Sequence, residues 1–164
     1  MKKGSFLLIL LIGFSSYSQQ KKDPVNKYFD QYLTNKKIFD LIEKSLPTLE
    51  ECKLVFTGEN AKTYFDEIQE VKGVIKNIVS KLEPETLTES SYRAFNSNDT
   101  KKDNGKSYYG MSEIKDVLKP NITFYHITYK DSNGSDSRFS PFKFFVKLNG
   151  KWLFFPKPTR VFRK

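Results

Sequence analysis

The segment FKFFVKLNGKWLFFP, Phe142 to Pro156, constrains the fold more than any other part of the chain. Asn149-Gly150 between two apolar runs is a strong hairpin signal, because the tight turn needs residues that tolerate positive φ. A two-residue turn fixes the register. Leu148 opposes Lys151, Lys147 opposes Trp152, Val146 opposes Leu153, Phe145 opposes Phe154, and Phe144 opposes Phe155. Paired residues share a face. One face therefore carries Phe142, Phe144, Val146, Leu148, Leu153 and Phe155. The other carries Lys143, Phe145, Lys147, Trp152 and Phe154. Neither face is suited to water. Three arrangements resolve this: a curved sheet wrapped round a pocket, a helix laid across the second face, or an open aromatic platform for a sugar, nucleobase or peptide. An uncovered aromatic patch needs a partner, so coverage by the protein's own chain is the expectation.

The rest of the sequence supplies that coverage. Asp23-Pro24 reads as an N-cap followed by proline at the first helical position. Val25, Tyr28, Phe29, Tyr32 and Leu33 then recur at helical spacing. The pattern continues through Phe39, Leu41 and Ile42 to about Leu46, with a break at Thr34-Asn35. Thr48 and Glu51 fit a capping box ahead of the short stripe Leu49, Cys52, Val55 and Phe56. Ala61, Tyr64, Phe65, Ile68, Val71, Ile75, Ile78, Val79 and Leu82 predict an amphipathic helix from about Glu59 to Leu82, stopped by Pro84. Its stripe is wide enough to cover a sheet. Gly73 lies inside it.

Residues 83–110 are less patterned. TLTESSYRAF reads as a strand, and Asn96 to Lys106 as a polar loop. Ser112 is a candidate N-cap for a short helix with Ile114, Val117 and Leu118, ended by Pro120. NITFYHITYK is rich in β-branched and aromatic residues and predicts a strand. DSNGSDS is a turn, and RFSPFKFFVKL and KWLFF form the hairpin. The sequence thus predicts an α+β fold. N-terminal helices pack on a C-terminal curved antiparallel β-meander, in a single domain over residues 19–164.

The first residues read as a signal peptide. Lys2 and Lys3 are followed by the apolar run FLLILLIGF, and Ser16-Tyr17-Ser18 gives small residues for cleavage before Gln19. Nine apolar residues are too few for a spanning helix, which needs about 20. Residues 1–18 are therefore expected to be removed, and the protein is expected to be exported, to the periplasm or outside the cell. After cleavage it is not expected to be an integral membrane protein. The mature chain carries 26 basic and 19 acidic residues. The lysines are spread along the chain, which argues for solubility over a nucleic-acid partner. A basic envelope or surface component touching anionic polymer is the alternative. The tail KPTRVFRK, with Lys157, Arg160, Arg163 and Lys164, reads as a solvated terminus.

Residue types exclude several chemistries. The single cysteine, Cys52, permits no internal disulfide and sits on an apolar stripe, where a buried thiol is the usual state. One His and one Cys cannot assemble a zinc site from nitrogen and sulfur ligands. Asp131, Asn133 and Ser135 begin like a calcium loop, but Asp136 and Phe142 stand where Gly and Glu are needed. No G-x-S-x-G, P-loop or dinucleotide fingerprint is present. Three sequons, at Asn98, Asn121 and Asn133, matter only in a host that glycosylates them. No catalytic residue, metal or cofactor is assigned.

Gly110 with Ile114, and Gly150 with Trp152, resemble the G-x-x-x-I helix start and the G-x-W last-strand signature of nuclear-transport-factor-2-like domains. The likeness runs from Tyr109 to Phe155. It implies a cone, a curved sheet closed by helices over an apolar pocket, a fold that hosts isomerases, dehydratases and pure binders. Enzymes of that family place an Asp or His in the pocket. The strands read over 121–130, 139–148 and 151–155 contain no Asp or Glu, which leaves His126, with Tyr125 or Tyr92, as the only enzyme-like arrangement. The expectation is a non-catalytic domain that binds a small apolar ligand or a protein partner through Tyr125, His126, Phe145, Trp152 and Phe154.

Overall fold

The computed structural model describes residues 23–79, 85–99, 111, 113–137 and 144–162. The leader read over residues 1–18, most of the loop at 96–106, Gly110, Ser112, Phe142, Lys143, Leu82, Pro84, Arg163 and Lys164 lie outside the described residues. Helices come first and a four-stranded antiparallel sheet follows, an α+β fold.

The strands are β1 (Glu89–Asn96), β2 (Thr123–Lys130), β3 (Phe144–Leu148) and β4 (Lys151–Phe154), paired in chain order as a meander. The hairpin register is the one its turn dictates, with Leu148 opposite Lys151 and Phe145 opposite Phe154. Phe155 extends it by donating its N–H to Phe144 O at 2.8 Å. Asn149 at φ 49° and Gly150 at φ 81° supply the two left-handed residues of the turn. The DSNGSDS turn closes on its own side chain. Asp131 Oδ1 accepts from the N–H groups of Asn133 and Ser135 at 2.8 and 3.0 Å, so this carboxylate caps a polar turn.

Both faces of the sheet are covered by the chain. Helix α1 (Pro24–Phe29) starts where Asp23 Oδ1 accepts from Val25 N–H at 2.8 Å. A 3-10 turn follows at Asp30–Tyr32, and Thr34 caps α2 (Asn35–Lys44). The break anticipated at Thr34-Asn35 is therefore real. Phe29 is edge-on to Phe145 and Trp152, with ring centroids 4.9 and 5.0 Å apart. Phe29, Ile38, Leu41 and Ile42 pack into one core with Ile127, Phe145 and Phe154.

The opposite face belongs to α3 (Leu49–Val55) and α4 (Asn60–Val79). Helix α3 opens on the anticipated capping box of Thr48 and Glu51. Cys52, Val55, Phe56, Tyr64 and Ile68 pack there against Phe124, Phe144, Leu153 and Phe155. The chain passes from one face to the other round the edge of β4, where Phe154 N–H donates to Ser45 O at 2.7 Å. A Cβ built at Gly73 would meet no atom within 4 Å, so this glycine is not a close-packing residue.

Two expectations are corrected. The short helix after Met111 is a 3-10 turn at Lys115–Val117. Its partner is the α3–α4 connection: Thr57 N–H donates to Val117 O and Lys119 N–H to Val55 O, at 2.9 and 2.8 Å. These tertiary bonds compete with helical ones. The C-terminal tail is not simply solvated. Pro158–Phe162 forms a short helix, α5, with Pro158 buried and Phe162 5.2 Å from Phe56. Arg160 points its charge to water while the apolar side of the turn docks.

Candidate functional site

The five ligand-binding candidates do not converge. Tyr125, Phe145, Trp152 and Phe154 belong to the face under α1 and α2. His126, one residue on from Tyr125 in β2, belongs to the other face, 3% exposed and with its ring 5.7 Å from Phe144. Tyr92 pairs with Ile127 and lies 5.7 Å from Tyr125. The sheet itself therefore separates His126 from both tyrosines. Phe145 and Phe154 are each 1% exposed beneath the helical layer. Of the five, Trp152 and Tyr125 reach the border of that layer. Tyr125 is half-buried and edge-on to Trp152 at 4.9 Å.

A cleft of about 310 Å³ opens at this border, between α1, α2 and the hairpin turn. Tyr28, Tyr32 and Trp152 form its aromatic wall, and Asp40, Lys44 and Lys151 stand around it. Tyr28 stacks on Trp152 at 5.6 Å with an interplanar angle of 27°. Tyr32 donates its hydroxyl to that of Tyr28 at 3.4 Å. Burial, then this hydrogen bond, pushes the Tyr28 hydroxyl well above its ordinary pKa, so it stays a neutral polar group. The cross-strand neighbour Lys147 places Nζ 5.6 Å from the Trp152 ring, a cation–π contact.

Sequence reasoning missed Tyr28 and Tyr32, which fall on the apolar stripe that runs through α1 and the 3-10 turn after it and read there as core. Their spacing of four, with hydroxyls able to meet on one helical face, was the available signal. Lys44 and Asp40 carried no signal, because solvated charges on α2 look alike in sequence.

Under the first half of α4, Ala61, Tyr64 and Ile68 are buried against the sheet. Tyr64 stacks at 5.7 Å on Phe155 and donates its hydroxyl to Pro156 O at 2.8 Å. A second cleft of about 340 Å³ runs along the outside of α4, between Glu67, Glu70 and Val74 and the Lys157–Val161 segment. Among the described residues it has no aromatic wall. Among the described residues no cluster of three His, Cys, Asp or Glu is placed to hold a metal, and no helix is long and apolar enough to cross a membrane. Burial pushes the Cys52 thiol up to about 12, which keeps it protonated and unreactive. No protein-family model, curated protein or solved structure matches the chain significantly.

Proposed function

We propose that this is an exported, non-catalytic binding domain whose ligand is a small ring-bearing molecule held in the cleft of Tyr28, Tyr32 and Trp152. The observation that carries this reading is the Tyr28–Trp152 stack forming one wall of a concave site of about 310 Å³. A cleft of that size suits a small molecule. Its aromatic wall favours a flat or apolar ring face. Asp40, Lys44 and Lys151 favour polar substituents at the ring's periphery. Binding without catalysis is supported by the chemistry nearby. The Tyr28 hydroxyl is held neutral, the Cys52 thiol is sealed in the core, and His126 is on the far side of the sheet. Export rests on the sequence of residues 1–18. Kinship with nuclear-transport-factor-2-like domains is a further proposal, carried by Gly150 and Trp152.

Trp152 is the only tryptophan, so its fluorescence reports on this wall directly. Titration with panels of aromatic compounds, monosaccharides and sterols is expected to shift or quench its emission with one class. Tyr32→Ala is expected to weaken that response about tenfold, in line with losing one aromatic contact. A folded protein whose emission is unmoved by all three panels overturns the reading.

A further inference from the structure

The two outer edges of the sheet are finished differently. On β4 the outward N–H of Phe154 is taken by Ser45 O. On β1 the phase is fixed by Ser97, whose N–H donates to Ile122 O at 2.7 Å. The register continues this pairing through Phe95 with Phe124, Arg93 with His126 and Ser91 with Thr128. In an antiparallel pair such residues turn their backbone groups to the partner strand. Ser90, Tyr92, Ala94 and Asn96 therefore turn theirs outward. Carboxylates close both ends of this outward row. Asp30 takes the Ser90 N–H at 2.9 Å, and Asp99 takes the Asn96 N–H at 3.0 Å. Between them, the outward backbone groups of Tyr92 and Ala94 have no hydrogen-bond partner among the described residues.

Open edges are normally blunted by lysine, proline or a charge turned inward. Ser91 to Phe95 contains no lysine and no proline. Its one charge, Arg93, is exposed and has no ion-pair partner among the described residues. We propose that the outer edge of β1 receives an extended acidic segment of a partner protein as a fifth, antiparallel strand. The backbone groups of Tyr92 and Ala94 supply the pairing, and an Asp or Glu of the partner stands opposite Arg93. That position falls between the new hydrogen-bonded pairs, where opposing side chains approach most closely. Strand addition of this kind takes affinity from the main chain and selectivity from alternate side chains. Charge decides the occupant. A second copy of β1 in the same register sets Arg93 against Arg93, which like-charge repulsion disfavours. This surface is distinct from the tyrosine–tryptophan cleft and stands without it.

The test uses the mature chain and the capped pentapeptide TVEVT, with TVKVT as its charge-reversed control. Amide NMR is expected to show shifts at Tyr92 and Ala94 with TVEVT at about 1 mM, the range for so short a ladder. TVKVT is expected to bind about tenfold more weakly, the difference between attraction and repulsion across one pair. Arg93→Glu is expected to reverse the preference. Ala94→Pro removes an outward N–H without touching the ladder to β2 and is expected to abolish binding. Arg93→Glu alters an exposed side chain and keeps the test decisive if the proline variant does not fold. Unmoved Tyr92 and Ala94 amides overturn the proposal. So does equal binding of both peptides, and so does concentration-dependent dimerisation that protects these amides without peptide.

Discussion

On one face of the sheet, α3 and α4 bury Phe56, Tyr64 and Ile68 against Phe124, Leu153 and Phe155, and main-chain bonds bind the layer in. Thr57 and Lys119 donate to Val117 and Val55, and Tyr64 reaches Pro156. On the other face, α1 and α2 bury Phe29, Ile38 and Ile42 against Phe145 and Phe154. This layer is tied at its margins. Leu87 N–H donates to Leu33 O at 3.2 Å, Phe154 N–H to Ser45 O, and Ser90 donates from both its N–H and its hydroxyl to Asp30. Both layers thus combine apolar packing with hydrogen bonds, and the α1–α2 layer makes its bonds at its margins. The aromatic cleft lies at the seam of the layer held by its margins, where an element can shift without opening the core.

The largest effects come from truncating the two cores. Phe155→Ala and Phe145→Ala each remove a fully buried ring and are expected to cost about 3–5 kcal/mol. Denaturant unfolding measures the loss. Hydrogen exchange separates the faces: Phe155→Ala is expected to lower protection throughout, and Phe145→Ala to lower it first in α1 and α2. Equal loss of protection in all helices for both variants erases the distinction between the layers.

Next in size is the Asp30 anchor. Asp30 Oδ1 accepts at 2.9 Å from Ser90 N–H and at 2.7 Å from its hydroxyl, and Ser90 is 4% exposed. Asp30→Ala strands the Ser90 N–H, leaves its hydroxyl only the longer bond to Asn26 O at 3.3 Å, and is expected to cost about 1–3 kcal/mol. Asp30→Asn keeps an acceptor oxygen and is expected to recover most of that. A midpoint unchanged by Asp30→Ala shows that apolar contact alone holds the layer.

Most of this architecture is legible in the sequence because it rests on local chemistry. Asn149-Gly150 dictates a turn type, and the turn dictates every pair of the hairpin. Asp23-Pro24, Thr34 and the Thr48/Glu51 box mark helix starts because orphan N–H groups need those side chains. The apolar faces of the hairpin require two covering layers. Which helix covers which face is not legible, since periodicity reveals a stripe and not its partner. For the same reason Tyr28 and Tyr32 read as core, although their rings form the wall of a cleft. The open edge of β1 depends on backbone phase and on Asp30, which is 60 residues away from Ser90 in the chain.

The smallest effect tests one ionic tie, between α3 and the hairpin. Lys151 Nζ lies 2.9 Å from Glu51 Oε1, while Glu51 Oε2 accepts from Thr48 N–H at 2.8 Å. Burial alone pushes the Glu51 carboxyl up, but the Lys151 ammonium and the two Thr48 donors outweigh it and hold it below its ordinary value of 4.5. A folded-state pKa below the unfolded one means the unfolded chain binds the proton more readily. The contribution is therefore present above about pH 4.5 and is lost as pH falls through the lower folded value. Glu51→Gln keeps the capping box, since Gln serves that position as well, and removes only the charge. At neutral pH the variant is expected to be less stable by under about 1 kcal/mol, because Lys151 is largely solvated. The two proteins are expected to converge as pH falls through that lower folded value, with high salt shrinking the gap at neutral pH. Denaturant midpoints of both proteins across this range decide it. A gap that persists at low pH assigns Glu51's role to hydrogen-bond geometry at the start of α3, and the charge across to the hairpin then adds nothing to how this face is held.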